Sequence, residues 1–143
     1  MASIIPNAAI RHIVKNDIDF DVDDFKCMLL TSSYTPNKDT DEFRDDIEAN
    51  EVAATGGYSA GGEDVTVTVL AVDNTNDRQE VTLGGISIPT STITARYGAY
   101  YKARGGASSA DEIVAVIDFG GNISSTGGTW SLTDSTMRFQ NGT

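Results

Sequence analysis

Val65-Thr66-Val67-Thr68-Val69-Leu70-Ala71-Val72 alternates β-branched residues with period two and carries no charge across eight positions. Side chains spaced by two fall on one face of a strand, and branching at Cβ suits a pleated surface, so the run predicts a strand. Asp73-Asn74-Thr75-Asn76-Asp77 follows as a turn, and Gln79 to Leu83 returns as the second arm of a hairpin. Gly84-Gly85 breaks the pattern, after which Thr90 to Lys102 alternates again. There Ile93, Ala95, Tyr97, Ala99 and Tyr101 are expected on one side, and Arg96, Tyr100 and Lys102 on the other. Ile113 to Phe119 is a further buried strand, Thr129 to Leu132 a late one, and Asp134 to Thr143 a tail that pairs or frays.

Working back from residue 65, Phe25-Lys26-Cys27-Met28-Leu29-Leu30 is nearly continuously apolar, as expected of a strand covered on both faces. Before it, Asp17 to Asp23 alternates Asp with Ile18, Phe20 and Val22 and is read as a half-buried strand with an acidic solvent face. Asp39-Thr40-Asp41-Glu42 offers an N-cap and an acidic first turn, predicting one short helix at 41–49, with Phe43 and Ile47 on one side. Ile10 to Lys15 is read as one more strand. About eight short strands and one helix predict a mainly β chain, an antiparallel β-sandwich with jelly-roll and immunoglobulin-like strand orders both open. Residues 1–16, with Ile4, Ile5, Ile10, Ile13 and Val14 around Pro6, are read as an extended N-terminal arm buried against a partner subunit. Residues 17–143 are the single sandwich domain, a length that suffices for a core.

The net charge of the 143 residues is −11, from 21 acidic and 10 basic side chains, with −9 of it before residue 65. Nucleic-acid and anionic-membrane affinity come from basic surfaces, so neither is an expected partner. The start lacks the basic and apolar stretches of a signal peptide, and no window approaches a membrane span. The glycosylation patterns at Asn122 and Asn141 are therefore read as coincidence. Cys27 is the one cysteine; lying in an apolar run, it is read as an inert buried thiol.

Catalytic chemistry finds little footing. The only histidine is His12, no serine sits in a Gly-x-Ser-x-Gly elbow, and the glycine pairs match neither a phosphate loop nor a dinucleotide fingerprint. Asp17-x-Asp19-x-Asp21 opens like a calcium loop. Its sixth position is Val22 where a glycine is needed, and its twelfth is Met28 where a glutamate should close the sphere. No catalytic residue, metal or cofactor is expected. Tyr97, Tyr100 and Tyr101 with Arg96, Lys102 and Arg104 form the one local aromatic and basic cluster, and Arg96, Tyr100 and Lys102 are its expected exposed, partner-facing members.

Several runs carry a family resemblance: Phe25 to Asp39, Asp45-Asp46-Ile47, Asn50-Glu51-Val52, Tyr58 to Gly62, Ser91 to Tyr97 and Ile117 to Gly120. Together they resemble small tailed-bacteriophage virion structural proteins. The resemblance implies assembly rather than catalysis: a capsid cement or decoration protein, self-associated as a homo-dimer or homo-trimer and bridging copies of the major capsid protein. The place implied is the capsid surface, after assembly in the bacterial host cytoplasm. The alternative is a tail-associated module that binds a receptor or glycan.

Overall fold

In the computed structural model, which describes residues 2 to 142, the chain is organised around its most apolar segment, β1 (Phe25–Leu30). From Cys27 to Leu30 no side chain is measurably exposed. β1 is flanked by β2 (Glu63–Val65) and by β6 (Thr94–Lys102), and β6 by β7 (Ile113–Ser124), giving a four-stranded antiparallel sheet in the order β2-β1-β6-β7. The pleat divides β1 between two cores: Phe25, Cys27 and Leu29 enter one, Met28 and Leu30 the other. Each such burial is worth about 1.5–3 kcal/mol in transfer free energy.

The first core is closed by two smaller antiparallel sheets. One is β3 (Val67–Val69), β4 (Arg78–Leu83) and β9 (Ser135–Gln140) in the order β3-β4-β9; the other pairs β5 (Ile86–Ser91) with β8 (Gly128–Leu132). Leu83, Ile88, Trp130 and Met137 fill the space between the layers. The second core lies on the opposite face of the four-stranded sheet, where Tyr34 and Ile47 from residues 31–62 pack on Met28, Leu30, Tyr97, Ala99 and Tyr101. The mainly β, antiparallel sandwich reading holds, with nine strands among the described residues and this irregular layer as a third tier.

Several local expectations are corrected. The run 65–72 is not one strand: it ends in one sheet at Val65 and resumes in another at Val67, so Thr66 is where the chain crosses layers. Register shifts between β6 and β7 change the side-chain phase, so Ala95 enters the first core while Tyr97, Ala99 and Tyr101 enter the second. Tyr100, placed by alternation on the solvent face, is fully buried in the first core. The helix expected at 41–49 is two single 3₁₀ turns, Arg44–Asp46 and Glu48–Asn50. A tertiary partner takes a backbone group that the helix would use, since Arg44 N–H donates to Asp111 O at 2.9 Å, while the Asp46 carboxylate accepts from the Glu42 and Phe43 N–H groups ahead of it.

The N-terminal segment is neither strand nor extended arm: Asn7–Val14 is an α-helix, α1. Before it, Ile4 exchanges two 2.9 Å hydrogen bonds with Val116 and so continues the sheet beyond β7. Residues 17–23 are turns rather than a strand. Asp19 N–H donates to Asp23 at 2.7 Å and Asp21 N–H to Asp19 at 3.0 Å, the local side-chain bonding by which aspartate competes with sheet structure. Residues 135–140 of the tail pair with β4. Met1, in the expected arm, and Thr143, at the end of the expected domain, lie outside the described residues.

Candidate functional site

Of the four isoleucines expected to clasp a partner, three turn inward on their own chain. Ile4 packs on the second core, and Ile5 and Ile13 on the first. Ile10 remains 50% exposed and Val14, four residues on, 81% exposed, so one stripe of α1 faces outward. The opposite side of the helix is pinned by His12, whose Nδ1 lies 2.9 Å from Asp17 Oδ2 and whose Nε2 lies 3.0 Å from Glu42 Oε1. Arg11 also reaches Glu42, and Lys15 lies 3.6 Å from Asp17. The hydrogen bond from His12 holds the Asp17 carboxyl below the usual range. Pro6 followed by Asn-Ala-Ala, then Ile10, Ile13 and Val14 at helical spacing, is the signal that could have identified α1.

The expected aromatic and basic patch is built into the body of the protein. Arg96 grips Asp118 through both fork positions, Nε to Oδ1 at 2.9 Å and Nη2 to Oδ2 at 3.2 Å, and stacks 5.5 Å from the Tyr97 ring centroid. This pairing holds the Asp118 carboxyl below its ordinary value. Tyr100 donates its hydroxyl to Gly84 O at 2.9 Å, and burial pushes its phenol upward. Lys102 bridges Asp23 Oδ2 at 2.9 Å and Asp17 O at 2.8 Å, tying β6 to the turns after α1. Arg104 on Glu112 and Arg44 on Asp111 are tied in the same manner, Arg44 also lying over the Tyr101 ring. Tyr100 therefore presents nothing to a partner, and Arg96 and Lys102 are engaged within the chain.

Cys27 is buried, and burial lifts its thiol from 9.0 to about 12, leaving essentially no thiolate at neutral pH. No group of three or more His, Cys, Asp or Glu side chains among the described residues is placed to hold a metal ion. The turns at 17–23 wall one side of an open groove of about 610 Å³, with Phe20 and Val65 in its lining and Lys26 paired to Asp64 at 3.1 Å on its rim.

Sequence reasoning passed over one feature. Beyond β3 the chain keeps to the outer edge of its sheet, with Val69 37%, Leu70 41% and Val72 64% exposed. With α1, this edge presents most of the large apolar side chains left open to solvent. Its signal is in the sequence: an apolar, β-branched run from Val65 to Val72 with no charge, proline or glycine. No family model, no curated protein and no solved structure matches the chain.

Proposed function

We propose that the chain is a non-enzymatic virion structural protein, a capsid cement or decoration protein that bridges major capsid protein subunits. The reading begins from the resemblance of the runs at 25–39, 45–47, 50–52, 58–62, 91–97 and 117–120 to phage virion proteins. One structural observation supports it above the rest: α1 is locked to the sandwich by His12, Arg11 and the Ile4–Val116 pairing while Ile10 and Val14 point away from it. An apolar stripe on a rigidly held helix suits docking on a shell, because little conformational freedom remains to be lost on binding. The first core, Cys27 included, needs no disulfide, so such a body keeps its form in either redox environment.

Self-association as a homo-dimer or homo-trimer and a place on the capsid surface belong to the same proposal. The competing reading, a receptor- or glycan-binding module on the tail, rests on the cluster of Arg96, Tyr100 and Lys102 or on the Gly-rich loops, and the three side chains of the cluster are committed to Asp118, Gly84 and Asp23. Copy number in purified virions separates the two. Quantitative mass spectrometry against the major capsid protein is expected to give a simple fraction of the shell subunit. A ratio of a few per cent moves the protein to the tail, and absence from the particle overturns both readings.

A further inference from the structure

The edge after Thr66 joins an outward-facing backbone to an apolar, β-branched run. Thr66 accepts from Gly84 N–H at 2.8 Å and Leu70 donates to Glu80 O at 3.0 Å, so both direct their backbone groups toward β4 and its continuation. In an antiparallel ladder these directions alternate, which turns the N–H and C=O groups of Val67, Val69 and Ala71 outward. β3 ends the order β3-β4-β9, so among the described residues no strand pairs with that side. Several other margins of the fold carry the devices that keep edges apart: Glu63 and Asp64 on β2, Pro89 on β5, Arg138 on β9, and Ile4 laid along β7. From Val65 to Val72 there is no charge, no proline and no glycine.

We propose that this edge, Val67 to Val72, is a homodimer interface at which two copies pair antiparallel about a two-fold axis through Val69. In that register Val69 meets its own copy and Val67 meets Ala71, so the outward groups of all three residues are satisfied by about six hydrogen bonds. Thr68 comes opposite Leu70, covering a large apolar side chain that the monomer leaves open. A second copy is the occupant that the charge pattern favours. Two chains of net charge −11 repel over most approaches, and here both partners present a strip without acids. In the same register Asp64 comes level with Asn74 and Asp73 with Val65, so no acid faces an acid. The inference gives a surface to the self-association proposed above, while its argument rests on the edge and not on the place in a virion, which copy number tests separately.

Sedimentation velocity of the full chain across a wide concentration range tests it, alongside Thr68→Lys, Leu70→Lys and the control Ile123→Lys. Both edge positions and Ile123 are exposed, and circular dichroism verifies that each variant folds. The expected result is a reversible dimer of the 15.2 kDa chain, weakened more than about tenfold by either edge lysine and unchanged by the control. Amide exchange at Val67, Val69 and Ala71 should slow as the dimer forms. A monomer at every concentration overturns the proposal. So does a dimer indifferent to the edge lysines, or exchange protection that falls on α1 instead.

Discussion

β1 and the edge following β3 are both short, uncharged or nearly so, and rich in branched apolar side chains, yet they meet opposite fates. β1 is the second strand of a four-stranded sheet with a core on each face, and its residues from Cys27 to Leu30 show no measurable exposure. The edge segment keeps one flank and part of both faces in water, with Val69 at 37%, Leu70 at 41% and Val72 at 64%. Apolar patterning states that a segment prefers company; the sheet order decides whether its own chain supplies that company. Where it does not, the remaining demand falls on another molecule.

The comparison can be broken most forcefully by one substitution made twice. Leu29→Ala removes a fully buried side chain from the central strand and should cost about 2–5 kcal/mol, read as a shift in urea midpoint at constant slope. Leu70→Ala removes the same atoms from the edge and should move monomer stability by no more than about 0.5 kcal/mol. Equal losses would show that the edge is packed as tightly as β1 and would undo the contrast.

A smaller effect, again confined to the doubly covered sheet, is set by pH. Cys27 and Tyr101 keep their protons to about 12, against ordinary values of 9.0 and 10.0, because burial disfavours their charged forms. The unfolded chain gives up those protons first. The stability they contribute is therefore complete below pH 9 and is lost as pH rises from about 9 to 12. Thermal midpoints should fall over that window, with tyrosinate absorbance appearing together with unfolding rather than ahead of it. The smallest expected change in stability comes from Ile10→Ser with Val14→Ser, within about 0.5 kcal/mol of the parent since both side chains are exposed. The same pair should nonetheless reduce incorporation into particles, measured as copies per virion.

Legibility in the sequence varied with how local the competing interactions were. β1 and the start of β7 were plain because uninterrupted apolar runs such as Phe25 to Leu30 and Ile113 to Ile117 admit few alternatives. The stretch 17–23 was misread because alternating aspartates mimic a strand while their carboxylates bond to neighbouring amides. The stretch 41–49 was misread because Asp111, remote in sequence, takes the amide of Arg44. α1 was missed because Ile10, Ile13 and Val14 fit strand propensity as well as helical spacing. Among the candidate contact residues, Ile10 is 50% exposed on α1. Ile4, Ile5, Ile13 and Tyr100 were drawn into the body, and Arg96 and Lys102 into ion pairs.

The sequence by itself determined a β-rich chain with its acidic charge massed before residue 65, a buried unreactive thiol and an uncharged strip at 65–72. Each of these follows from composition or from a periodicity that needs only neighbours in the chain. Tertiary structure alone decided the order β2-β1-β6-β7, the crossing between layers at Thr66, the register shift that sends Ala95 and Tyr97 to different cores, and the choice of β3 as an unpaired edge. Those are matters of pairing between distant segments, and a strand's own side chains say which face wants burial but not which strand will lie alongside it.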